Sequence, residues 1–165
     1  VAEAIKQETG LETLIKWPND IYLKGKKVSG ILSELGVKGE QLQYVIVGIG
    51  ININSDPSTY PEIKEIATSI SMELGQSFSR LQLLKVILNL MERYYHILKR
   101  GDFNSLKKTW DALSLIKGKK VKVVSKDDLK EGIAESVDEE GFLILRDYSG
   151  RKSRIVSADV SLSLV

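Results

Sequence analysis

Residues Val45 to Asn54 alternate so strictly that they predict one strand of a sheet whose two faces meet different surroundings. Side chains along a strand point to opposite faces in turn. Val45, Val47, Ile49, Ile51 and Ile53 therefore share one face, which is expected to bury against helices. Gly48, Gly50, Asn52 and Asn54 share the other, which is bare backbone followed by carboxamides. Glycines weaken a strand, so two on one face mark close approach by another backbone or by a ligand, and both readings stand. A dinucleotide fingerprint is excluded, because the third glycine is missing and Asn52 to Pro57 reads as a loop rather than a helix start.

The rest of the chain is organised around that strand. Leu14–Pro18, Ile21–Leu23 and Lys27–Glu34 also read as strands, with Lys24-Gly25-Lys26 and Gly36-Val37-Lys38-Gly39 as glycine-bearing turns. Glu62–Leu74 is predicted to be helical and closed by Gly75. Ser79 to Gln82 is a capping box opening the strongest helix, with Leu81, Leu84, Leu88, Met91, Tyr95 and Leu98 at helical spacing. Gly101 ends it, and Asp102 caps a shorter helix bearing Phe103, Leu106 and Trp110. From Gly118 the texture changes to five short alternating segments, Val121–Ser125, Gly132–Val137, Phe142–Asp147, Ser153–Val156 and Val160–Val165. Turn clusters separate them, which predicts a small antiparallel barrel. Two domains are expected, residues 1–116 and 117–165.

Composition removes several classes of function. A chain of 165 residues, 42% apolar and 28% charged, can bury a core, and a net charge of +2 gives no reason to invoke nucleic acid or a membrane surface. With no cysteine there is no disulfide or thiolate metal site, and a cytoplasmic setting is the natural expectation. The one histidine, His96, lies in the long helix, where packing or solvent is its expected role, so a Ser-His triad and a His/Cys metal cluster are both out. The chain starts inside a helical segment without Met and is expected to be the downstream part of a longer protein.

Any chemistry must then run on Asn, Asp, Lys, backbone amides and Mg²⁺. Trp17-Pro18-Asn19-Asp20 is either a turn or an amide and a carboxylate set at a strand end, where the carboxylate would hold Mg²⁺ or accept a proton. Lys27 is either a solvated hairpin residue or a cation able to neutralise charge on a phosphoryl group. In simple alternation it shares a face with Ser29, Ile31 and Ser33, against Val28, Gly30, Leu32 and Glu34. This residue set points toward nucleotide-dependent activation, where positioning and charge stabilisation do most of the work.

Lys16-Trp17-Pro18-Asn19-Asp20, Lys27-Val28-Ser29-Gly30-Ile31-Leu32, Glu34 and Val47 to Asn52 resemble the biotin protein ligases in order and spacing. So do Gly132 to Glu135, Gly141 to Leu145 and Ser157 to Leu162, which resemble that family's closing barrel. The resemblance covers essentially the whole chain. It implies an α/β (α+β) fold, a class II synthetase-like mixed sheet with helices followed by a small SH3-like β-barrel. It also implies activation of biotin with ATP and Mg²⁺ to biotinyl-5′-adenylate, then transfer to one lysine of a biotin carboxyl carrier domain. Lys27 matches the lysine that contacts the reacting carboxyl and phosphate groups, and Asn19 and Asp20 match residues near the adenylate and the acceptor lysine. Gly30 and Ile31 would line the biotin cleft, Gly48 and Gly50 would let the ligand close to the sheet, and Asn52 would meet the nucleotide. Ser55–Glu62 would form the wall beside the adenine.

The family's Gly/Arg-rich adenylate loop would lie upstream of Val1, so these residues alone are expected to bind biotin poorly and not to ligate. A homodimer is compatible with the resemblance. The alternatives are a lipoate-type ligase and a non-catalytic ligand-sensing or protein-binding module. Near cancellation of the Lys119, Lys120, Lys122 run by Asp127, Asp128, Glu131, Glu139 and Glu140 argues against nucleic acid as a partner of the second kind.

Overall fold

The computed structural model describes residues 1–125, 128–156 and 159–162. The chain divides into two compact units, residues 1–13 with 19–84, and residues 14–18 with 85–165.

In the first unit, helix α1 (Ala2–Thr9) ends at Gly10, whose φ of 72° is the left-handed conformation of a helix stop. Strands β2 (Asp20–Leu23), β3 (Lys26–Lys38) and β4 (Gln41–Ile51) then pair antiparallel in that order. The preceding strand, β1 (Thr13–Lys16), starts here with Thr13, whose hydroxyl donates to the Ala2 carbonyl at 3.0 Å. The turn between β3 and β4 is shorter than the glycines predict. Gly36 lies within β3, opposite Tyr44, and the Tyr44 ring occupies the space that a Cβ at Gly36 would need. Gly36 therefore permits close cross-strand packing, and Gly39, at φ 59°, makes the turn.

The expected helix over residues 62–74 is mostly absent. A 3-10 turn (Pro57–Thr59) is capped by Asp56, Ala67 bridges to Lys27, and only α2 (Ile70–Leu74) is α-helical, with the Ser69 hydroxyl accepting from the Met72 amide. Residues 66 to 68 are drawn away from the helix because their backbone groups bond to strand β3 instead. Of the capping box at Ser79, half forms. The Gln82 amide bonds the Ser79 hydroxyl at 3.3 Å, while the Gln82 side chain donates to Glu8.

Helix α3 (Arg80–Lys99) runs from the first unit into the second, and its burial overturns the simplest reading of its apolar stripe. Leu83, Ile87 and Leu90 are the buried residues, whereas Leu81, Leu84, Leu88, Met91, Tyr95 and Leu98 are all exposed. The helix carries two apolar seams. The distal half of the β3–β4 hairpin is likewise uncovered, with Leu32, Leu35, Val45 and Val47 exposed, so the expected burial of the Val45 face does not hold there. His96 is exposed, one of the two settings expected of it.

In the second unit, Asp102 caps α4 (Phe103–Leu113) by accepting from the Ser105 amide at 3.2 Å. Its carboxyl is held below the usual range by the hydrogen bonds from the Ser105 hydroxyl and amide. The Ile15 carbonyl of β1 accepts from the Leu115 amide at 2.8 Å. Five antiparallel strands follow, β5 (Lys120–Ser125), β6 (Asp128–Val137), β7 (Leu143–Arg146), β8 (Lys152–Ile155) and β9 (Asp159–Leu162), in the spatial order β8-β7-β6-β5-β9. All five expected segments are strands within the described residues. Residues 163–165 of the last one, Lys126 and Asp127 of the first turn cluster, and Ser157 and Ala158 of the tail motif lie outside them. Val121, Val123, Ala134, Val137, Leu143, Leu145, Ile155 and Val160 form the core of this unit, joined by Ile116 and by Trp17, which lies in the turn after β1 rather than in the strand expected to reach Pro18. Trp17 is 4% exposed, and its indole N–H donates to the Gly141 carbonyl at 3.0 Å.

Candidate functional site

The site lies at the Asp20 end of strands β2, β3 and β4. Asp20 opens β2 directly opposite Gly30 on β3, and Gly30 in turn faces Gly50 on β4. Paired residues project to the same side of a sheet, so Asp20, Gly30 and Gly50 share one face. Gly48, two residues back on β4, shares it opposite Leu32. No described side chain covers the Gly50 floor. The nearest atom to a Cβ built there is the Gly30 carbonyl, at 3.8 Å.

Lys27 reaches this face through a β-bulge that strand alternation does not foresee. Ile21 pairs with Ser29 and Tyr22 with Lys27, so Val28 is the extra residue. Val28 and Ser29 both turn inward and are buried. The phase of the strand thereby flips, and Lys27 lands on the side of Gly30 rather than of Ser29. Its Nζ lies 2.6 Å from Asp20 Oδ1. The bulge is held from the far side by the 66–68 segment, where the Lys27 amide donates to the Ile66 carbonyl at 2.8 Å and the Thr68 amide to the Lys27 carbonyl at 2.9 Å.

The two asparagines are anchored by their amides. Asn19 Nδ2 donates to the Ile31 carbonyl at 2.7 Å, and the Ile31 amide returns a bond to the Asn19 carbonyl at 3.0 Å, fixing the start of β2 against β3. Asn52 Nδ2 donates to the Thr68 carbonyl at 3.1 Å, while its backbone bonds Val28 and Ile70. Sequence reasoning missed the segment behind them. Thr68 and Ser69 are buried, the Thr68 hydroxyl donates to Glu73 at 2.6 Å, and Lys24 Nζ lies 2.9 Å from the same carboxylate. Burial pushes the Glu73 carboxyl up, but the bonds from Thr68 and Lys24 outweigh it and hold it below the usual range. Thr68 and Glu73 are five residues apart, but Lys24 joins them from a segment distant along the chain, which no local sequence signal marks. Asn54, on the glycine face by alternation, clamps Phe78 through both amide atoms at 2.9 Å.

The arrangement is a cation beside a carboxylate over a floor of bare backbone. It suits an anionic group lying flat against the sheet, because glycine at positions 30, 48 and 50 leaves room for close approach. Asp20 is the carboxylate of the face, and no cluster of three His, Cys, Asp or Glu residues exists among the described residues. That donor set fits Mg²⁺ carried mainly by phosphate oxygens rather than caged by protein.

Residues 1–52 match the Biotin/lipoate A/B protein ligase family and residues 117–163 match the Biotin protein ligase C terminal domain. A mutant Aquifex aeolicus biotin protein ligase in complex with biotin superposes with a TM-score of 0.84 at 30% identity, covering 98% of this chain and 67% of that one. The chain belongs to the biotin protein ligase family. The Aquifex aeolicus ligase in complex with biotin and ATP gives a TM-score of 0.85 at 29% identity, with the same coverage of each chain. The Bifunctional ligase/repressor BirA of Bacillus subtilis is 37% identical over 163 residues, which are 98% of this chain and 50% of that protein. The chain thus spans about half the length of that relative. The expected fold class, a ligase-type α+β unit followed by a β domain, is that of these structures.

Gly30 gives a direct test of whether this face is a working site. A Cβ there would lie 3.3 Å from Lys27 Cε and Nζ and 3.4 Å from Asp20 Oδ1. A flexible lysine can yield, so Gly30→Ala should fold normally yet displace the ammonium. We expect about a tenfold to hundredfold loss of biotin-dependent pyrophosphate release by the full-length gene product. Unchanged turnover would mean that the ammonium position is irrelevant.

Proposed function

We propose that this chain supplies the nucleotide and carboxyl side of a cleft that activates biotin with ATP and transfers it to a lysine of a biotin carboxyl carrier domain. The observation that carries this reading is the Lys27–Asp20 pair over the Gly30–Gly50 floor, in a chain of this family. A carboxylate oxygen of biotin attacks the α-phosphorus of ATP, pyrophosphate leaves, and the mixed anhydride biotinyl-5′-adenylate forms. The amine of the acceptor lysine then attacks the acyl carbon, loses a proton, and AMP departs. Negative charge gathers at phosphorus in the first step, and Lys27 is positioned to offset it. Asp20 orients the lysine and is available to the incoming amine as a hydrogen-bond acceptor. Asn19 and Ile31 brace the biotin side of the cleft beside Gly30, Asn52 the nucleotide side beside Gly50, and Gly48 extends the open floor. Mg²⁺ bound to the triphosphate, with Asp20 the carboxylate at hand, would lower the charge that the attacking group meets.

Support comes from the named ligands and substrates of the relatives. The Aquifex aeolicus protein is described with biotin and ATP, and a Paracoccus denitrificans relative, 33% identical over 141 residues, is named a biotin–[acetyl-CoA-carboxylase] ligase. We further propose that residues 1–165 alone do not ligate, because the Gly/Arg-rich loop of the family is not among them. The domain division at residues 116 and 117 and a cytoplasmic setting complete this reading.

The test is pyrophosphate release from ATP by the full-length gene product, with biotin or lipoate and with a carrier domain present or absent. Biotin-dependent release followed by carrier labelling is the expected result. Release with lipoate in place of biotin would move the chain to the lipoate branch. No release with either acid would sink the activity, and robust labelling by residues 1–165 alone would sink the claim that they are insufficient.

A further inference from the structure

Thr68 ties the two sides of the glycine floor together through one residue. It is 1% exposed, and each of its three polar groups has a different partner. Its amide donates to the Lys27 carbonyl at 2.9 Å, its carbonyl accepts from Asn52 Nδ2 at 3.1 Å, and its hydroxyl donates to Glu73 Oε1 at 2.6 Å. The first bond grips the bulge that sets the Lys27 side chain over Gly30. The second fixes the carboxamide two residues beyond Gly50. The third sets Thr68 itself, because a buried hydroxyl left without a partner costs free energy and so holds to the one it has.

The contacts continue to the turn between β2 and β3. Glu73 Oε2 lies 2.9 Å from Lys24 Nζ, whose side chain is 67% exposed. Lys24 has φ 45° and Gly25 has φ 84°, and two consecutive positive values are those of a type I′ turn. Among the described residues Lys24 is the one non-glycine at positive φ. Asn or Gly suits that backbone better than lysine, so the turn itself does not explain the residue, whereas its ammonium on Glu73 does. An exposed ion pair adds little to stability, which leaves orientation of the Glu73 carboxylate as its main effect. We propose that Thr68, held by Glu73 and through it by Lys24, is a positioning residue that keeps Lys27 and Asn52 in register across the floor. The inference rests on the reading of that floor as a biotin-activating site. The biotin side is braced separately, by the Asn19–Ile31 bonds, without Thr68. Loss of the Thr68 hydroxyl should therefore disturb nucleotide use and spare biotin.

Steady-state kinetics of biotin-dependent pyrophosphate release by the full-length gene product test this. Thr68→Val keeps the volume and both backbone bonds but removes the hydroxyl. It should lower kcat roughly tenfold and raise KM for ATP, with KM for biotin unchanged. Thr68→Ser, which keeps the hydroxyl, should restore both values to near wild type. Lys24→Asn separates positioning from stability. It suits the turn better than lysine, so the melting midpoint should not fall, yet KM for ATP should still rise, by a smaller factor. If Thr68→Val does not fold, Lys24→Asn decides by itself. An unchanged KM for ATP in either folded variant overturns the inference. So does a fall in kcat alone that cooling reverses, the pattern of a partly unfolded protein. Wild-type protein that releases no pyrophosphate with biotin overturns the biotin reading and this inference with it. An active wild type with kinetically silent substitutions overturns the inference alone.

Discussion

Lys27→Ala should lower biotin-dependent pyrophosphate release by the full-length gene product about a hundredfold to a thousandfold, the usual effect of removing one preorganised charge donor from a developing oxyanion. At about 1.4 kcal/mol per decade this is roughly 3–4 kcal/mol of transition-state stabilisation. Its effect on folding should be far smaller. The Lys27–Asp20 pair has its lysine 44% exposed, and exposed pairs contribute at most about 1 kcal/mol. Thermal melting beside the activity assay separates the two. If turnover and stability fell together, Lys27 would be a structural residue. Lys27→Arg should not rescue activity, because the guanidinium is larger and the space above Gly30 is already tight, with Lys27 Nζ 3.3 Å from a Cβ built there.

The second large effect concerns stability. Trp17→Ala should destabilise the second unit by about 3–5 kcal/mol, the usual range for emptying a buried indole site. For a domain with about 5–15 kcal/mol of stability, that is a large share of the total. Trp17→Phe is the informative companion. It keeps most of the apolar contact with the cluster around Val137 and Leu143, but leaves the Gly141 carbonyl without its indole donor. A cost of about 1–3 kcal/mol is expected from that lost bond. Trp110, then the remaining tryptophan, reports unfolding in urea by its fluorescence. Equal midpoints for wild type and Trp17→Phe would show that the bond contributes nothing.

Trp17 also illustrates what the sequence makes legible. The stretch around it draws notice for Asn19 and Asp20, yet its indole serves the core of the β domain while the two polar residues serve the sheet. Composition and turn chemistry locate elements well, because a cap such as Asp102 or a stop such as Gly10 acts through its own neighbours in the chain. The five strands after Gly118 are readable for the same reason. What stays hidden is whatever depends on a partner distant in sequence. Residues 66 to 68 have helical neighbours in composition, but bond to β3. The Leu81 stripe has the spacing of a buried face and is open, since periodicity states that a face is apolar and not what lies against it. The glycine floor was legible from alternation within β4; the position of Lys27 above it was not.

That position belongs to the backbone. Lys27 faces the floor because one additional residue, Val28, is accommodated between two ladder pairs. Exchange of the Val28 side chain leaves that count unchanged, although it would disturb a buried position. A change of length is different. Inserting a single residue between Ile21 and Tyr22 would give Val28 a partner, restore plain alternation and turn the ammonium toward the side where Ser29 is buried. The spacing of this segment, more than the identity of its residues, is what a lineage carrying this site has to keep.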